Sequence, residues 1–152
     1  MVTACLIALS GVAAACDVCV DKECKSPGYW KNHPDAWPLK SCEELKIGCE
    51  SYTVSEAIYI MQEPVKGDKT YTMFDAVVAA KLNVKCGCCQ SEEIKYIIEG
   101  ANRWMMRHKP GSEVEASSSY WQDEFVYNCD SKYPSAEVMY QKLDAFNNGY
   151  YC

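Results

Sequence analysis

Apolar residues recur at helical spacing in four stretches of the chain. In the first, Ala57, Ile58, Ile60 and Met61 share one side of a helix predicted over 54–63. Thr53 and Glu56 have the spacing of a capping box, and Pro64 stops the helix because it lacks an N–H donor. Residues 65–69 read as a turn. Phe74, Val77, Val78 and Leu82 mark a second helix, opening at Thr72–Asp75 and ending near Asn83. The third and longest is predicted over 92–108, capped by Ser91, with Ile94, Ile97, Ile98, Ala101 and Met105 as its apolar stripe. Gly100 inside that helix costs roughly 1 kcal/mol relative to alanine, which points to a close crossing there. Lys109-Pro110-Gly111 ends the helix, and 112–118 is a polar loop. Residues 120–127 are predicted to form a short helix. Ser135 caps the last helix, about 136–146, with Val138, Met139, Leu143 and Phe146 inward and Asn147-Asn148-Gly149 terminating it.

No such period runs through residues 16–52. Residues 16–25 are short, charged and rich in cysteine. The stretch 26–38 carries two of the four tryptophans and three of the six prolines. It is too rich in proline for a long helix, and its rings need a wall to pack on. Lys46-Ile47-Gly48-Cys49 could turn one short β-hairpin. The fold class expected is therefore mainly α: a small disulfide-rich domain of four to five helices packed around an aromatic, proline-rich loop.

Charge and cysteine narrow the setting. The 152 residues suit one domain. A net charge of −6 argues against nucleic acid and anionic membranes as partners. Residues 1–15 are apolar, end in Ala13-Ala14-Ala15 and read as a secretory signal without a basic start. The run is too short to span a membrane, and a retained apolar anchor is the alternative. The domain would then be 16–152, secreted, with no membrane span after signal removal. Of 11 cysteines, ten lie beyond that signal: Cys16, Cys19, Cys24, Cys42, Cys49, Cys86, Cys88, Cys89, Cys129 and Cys152. An even number in a secreted chain implies a disulfide framework, whose pairing sequence does not reveal. Cys42 and Cys49 could pair locally across the small hairpin. Cys88 and Cys89 suit bridges to different partners better than a vicinal bond.

The block GYWKNHPDAWP at 28–38 resembles the signature of an uncharacterised family of secreted and cell-surface domains. EAIYIMQEPVKGDKTYTMFDAVVAAKLNV at 56–84 is similar to that family's helix, PV-x-GD turn and AAKLN segment, and LDAFNNG at 143–149 to its closing helix. The blocks occur in order and span most of the chain, while 86–130 matches poorly. The resemblance implies a surface context rather than an activity. It also implies a bridge from Cys24 to Cys152 clasping the two ends.

Candidate chemistry concentrates in 28–38. His33 could be a base or ligand with Asp35 fixing its tautomer; the plainer role is an imidazole bonded to loop backbone. Tyr29, Trp30 and Trp37 could form a sugar-stacking platform, with Lys31, Asn32 and Asp35 bonding hydroxyls and His33 a further binding candidate; the plainer role for the tryptophans is core. Cys16 and Cys19 with Cys86, Cys88 and Cys89 could hold zinc, but an oxidising compartment consumes thiols, so neither metal nor cofactor is expected. No nucleophile elbow, phosphate loop, zincin or calcium-loop pattern is present. The function expected is a secreted, non-enzymatic structural or binding component of an extracellular surface or matrix. Its partner would be a polysaccharide, a surface protein or a second copy of the chain. The alternatives are a small polysaccharide-directed hydrolase using Asp35 and a distant glutamate, and a lipid carrier lined by the Ile and Met helices.

Overall fold

A computed structural model describes Cys19, 22–123, 125–128 and 131–151. The expected signal at 1–15, and Cys16, Cys129 and Cys152, lie outside the described residues. The chain is mainly helical, as its apolar periodicity implies. Helix α1 (Pro27–Asn32) and a 3-10 turn (Pro34–Ala36) come first, then a hairpin of β1 (Leu45–Ile47) and β2 (Glu50–Tyr52). Helices α2 (Val54–Gln62), α3 (Lys69–Lys85) and α4 (Glu92–Arg107) follow. The chain closes with α5 (Ser119–Gln122), a second hairpin of β3 (Phe125–Asn128) and β4 (Ser131–Ser135), and α6 (Ala136–Asn147).

Helix α3 is the central rod. It packs against α4 and α6, which also pack on each other. Met73, Phe74, Val77, Val78 and Leu82 are all fully buried. So are Ala76, Ala79 and Ala80, which places apolar contact around most of its circumference, as a core helix requires. Ile94, Ile97, Ala101 and Met105 of α4, and Met139, Leu143 and Phe146 of α6, complete the core.

The capping box at α2 forms as the sequence implies. Glu56 N–H donates to Thr53 Oγ1 at 3.3 Å, and Thr53 N–H donates to Glu56 Oε2 at 2.8 Å. The first hairpin turns through Gly48 at φ +62°, in the left-handed region glycine favours. Gly100 marks the close approach its position suggested: a Cβ there would lie 2.6 Å from the Tyr133 ring and 2.7 Å from Met139 Sδ.

Four expectations are corrected. Helix α3 opens at Lys69 rather than at Thr72, because Asp68 caps it by accepting from Thr70 N–H at 2.9 Å. The stretch 120–127 divides: α5 ends at Gln122 and Phe125 begins a strand. The run Phe125-Val126-Tyr127 favours extended backbone, with Val126 buried and the rings of Phe125 and Tyr127 exposed. Val138 is exposed, standing one position off the stripe that buries Met139, Leu143 and Phe146. Ser135 precedes α6 but makes no side-chain cap bond.

Candidate functional site

The signature segment is built from two short helical turns, not an irregular loop. Ser26 Oγ accepts from Tyr29 N–H at 3.2 Å, and Pro27 sits at the first helical position, where its missing donor is no loss. Pro34 disfavours helical backbone at His33, which ends α1 with φ −128° and ψ 67°. Pro34 then starts the 3-10 turn.

This geometry sorts the candidate residues into two sets. Trp30 and Trp37 are buried, at 2% and 4% exposure. Trp37 Nε1–H donates to the Trp30 carbonyl at 2.9 Å. Neither indole is offered to solvent, so the predicted three-ring platform does not assemble. Tyr29, Lys31, Asn32, His33 and Asp35 remain half-buried or exposed. The His33 ring stacks on Tyr29 with centroids 4.3 Å apart, and its Nδ1–H donates to the Tyr29 carbonyl at 2.8 Å. That bond replaces the expected Asp35 contact, because His33 and Tyr29 are one helical turn apart. Asp35 stands exposed on the 3-10 turn.

Beneath the segment lies a network of side-chain amides. Asn83 Oδ1 accepts from Trp30 Nε1–H at 3.0 Å and from Lys25 N–H at 2.8 Å. Asn83 Nδ2 donates to the Lys25 carbonyl and to Asn147 Oδ1, both at 2.9 Å. Asn147 Nδ2 donates to the Ala76 carbonyl at 3.0 Å. Both asparagines are fully buried, and Asn83 fills all four of its hydrogen-bonding places. Trp30, Asn83 and Asn147 come one each from the three blocks that carry the family resemblance. The network is where those blocks meet.

Two disulfides fix the chain just before this segment. Cys19 pairs with Cys86, and Cys24 with Cys88. The bridge from Cys24 to Cys152 implied by the resemblance is therefore corrected: Cys24 joins the turn after α3. Cys42 and Cys49 are exposed thiols and do not pair with each other; they flank the two sides of β1. Cys89 is exposed. The bridges take Cys19, Cys86 and Cys88 out of the tetrathiolate alternative, and no group of three metal-ligating side chains occurs among the described residues.

Sequence reading missed two ionisable residues on α3. Asp75 Oδ1 is buried without a hydrogen-bond partner. Burial raises its carboxyl to about 7, against the opposing pull of Lys31. Burial likewise, with Asp144 and Asp75 adding to it, raises the Tyr140 phenol. The Lys81 ammonium is lowered to about 8, chiefly by burial and further by Lys46. Both positions fall inside an apolar-rich helix, where a lone charge reads as a solvated face; the neighbours packed on α3 bury them, α4 and the first hairpin around Lys81, with Lys31 of α1 and Tyr140 of α6 near Asp75. The Ile and Met side chains that would line a lipid cavity pack into the core: Ile94, Ile97, Met73, Met105 and Met139 are at most 2% exposed.

Comparison with protein-family models, with curated proteins and with solved structures returned no match. No helix among the described residues is long and apolar enough to cross a membrane.

Proposed function

We propose that the chain is a secreted, non-enzymatic structural or binding component of an extracellular surface or matrix. One observation carries the reading. The residues that make the signature distinctive are spent on the fold: Trp30 and Trp37 fill the core, and Asn83 and Asn147 join three distant segments. His33, the one imidazole in the segment, is bonded to backbone. The two disulfides suit an oxidising compartment. The resemblance to secreted and cell-surface domains points the same way. Half-buried Lys31 and the exposed Asn32, His33 and Asp35 form the face on which a polysaccharide, a surface protein or a second copy would rest.

The test is expression with residues 1–15 in a secretory host, followed by fractionation and intact mass after alkylation without reduction. The expected result is a chain in the medium or on the envelope, shortened at its start, with Cys19, Cys24, Cys86 and Cys88 protected from alkylation. Retention in the cytoplasm with those four thiols alkylated would reject it. So would a glycan-cleaving turnover lost in His33→Ala or Asp35→Ala with the fold intact.

A further inference from the structure

We propose that the cavity between the first hairpin and helices α3 and α4 binds a small organic anion, with a carboxylate, sulfonate or phosphate head on an apolar body. The cavity is an open groove of about 390 Å³, room enough for a small ligand. Leu45, Val84 and Ile98 give it an apolar wall. Around them stand Lys46, Lys81, Lys85 and Lys95. Four lysines around one cavity stand out in a chain of net charge −6.

Their partners differ in kind. Lys85 pairs with Glu43 at 2.6 Å, and Lys95 pairs with Glu92. Both pairs are solvent-exposed, so each is weak and exchangeable. Lys81 is different. Its ammonium donates to Asn102 Oδ1 at 2.6 Å and to the Lys46 carbonyl, both neutral acceptors. Among the described residues it has no carboxylate partner. Two of its three N–H donors are used and one remains. A cation withdrawn from water without a counter-ion is costly, and burial accordingly lowers this ammonium to about 8. An anion seated against the apolar wall would supply the missing counter-charge and take the third donor, while Lys46 and Lys95 steer it. This site is separate from the signature segment and does not depend on the surface-component reading.

The experiment titrates the folded, disulfide-intact protein with 8-anilinonaphthalene-1-sulfonate and follows its fluorescence. Saturable binding at one site per chain is expected. The Lys46→Gln/Lys95→Gln double variant, at exposed positions that leave the core untouched, should weaken binding about tenfold. Lys81→Met should abolish it, and the double variant keeps the test sound if Lys81→Met does not fold. The uncharged analogue N-phenyl-1-naphthylamine and inorganic sulfate should each fail to displace the dye, because each carries half of the recognised chemistry. Displacement by decanoate would assign a free amphiphile, and displacement by phosphatidylglycerol vesicles alone would assign a lipid head; both outcomes support the site. Unchanged affinity in the double variant, or equal binding of the uncharged analogue, would overturn the proposal.

Discussion

Asp75→Asn should make the protein more stable at neutral pH and, in acid, leave it unchanged or up to about 3 kcal/mol less stable. The carboxyl sits on α3 with Oδ1 buried and unpartnered, and is raised from 3.8 to about 7 by burial. Below about pH 4 it is neutral in both the folded and the unfolded chain. Between about 4 and 7 the unfolded chain releases the proton while the folded chain keeps it, so stability falls as pH rises. Above about 7 both states are charged and the loss is complete. At about 1.4 kcal/mol per pH unit, the displacement amounts to roughly 4 kcal/mol, an upper figure for the full penalty of the buried charge. The asparagine keeps the shape and removes the titration. Its extra N–H donors add a cost of about 1–3 kcal/mol if they find no partner, but that cost is the same at every pH. The diagnostic is therefore the slope. Urea unfolding followed by tryptophan fluorescence, with disulfides intact, should show the variant gaining on the wild type from about pH 4 to about pH 7 and levelling off above it. A difference between the two that stays flat across that range would refute the reasoning.

Three further outcomes follow from packing and bonding. Asn83→Ala strands Trp30 Nε1–H, the Lys25 backbone and Asn147 Oδ1, and at about 1–3 kcal/mol per buried group should cost at least about 3 kcal/mol in urea unfolding. Gly100→Ala gains helix propensity but drives a methyl into Tyr133 and Met139; calorimetry should show a net loss of about 1–3 kcal/mol, and a rise in Tm would contradict the close approach. Removing the Cys24–Cys88 bridge as the double serine variant should cost less than half of what removing both bridges costs. The two bridges close loops of 64 and 67 residues that nearly coincide, so the first already removes most of the unfolded chain's freedom. Denaturant midpoints of the two variants decide this.

Helices α2, α4 and α6 were legible because each presents an apolar stripe, and two begin on a side chain that bonds the first turn, Thr53 for α2 and Ser91 for α4. The start of α3 was less so. Asp68 is a cap, but a preceding turn rich in lysine and glycine disguised it. The second hairpin was obscured by its shortness and by tyrosines that fit either backbone state, although Phe125-Val126-Tyr127 held the strand signal. Trp37 could not be placed from sequence, since its burial depends on the Trp30 carbonyl lying within reach. The amide network was invisible for a similar reason: Asn83 and Asn147 each read as helix-ending residues, and only the crossing of α3 with α6 brings them together. Lys81 and Asp75 show the same limit for charge, because desolvation is a property of the neighbours.

The bridges and the amide network also set how the protein bears tension. A pull applied at Cys19 passes through its bridge to Cys86, at the end of α3. A pull applied at Asn147 enters α3 through Asn83 and the Ala76 carbonyl. The line of force therefore crosses the domain through the segment 76–86, and α1, the first hairpin and α2 lie off it. The 67-residue span closed by the Cys19–Cys86 bridge cannot lengthen while that bond stands, although it would extend to roughly 230 Å if released. The span from Cys19 to Cys88 is therefore inextensible when oxidised and compliant when reduced.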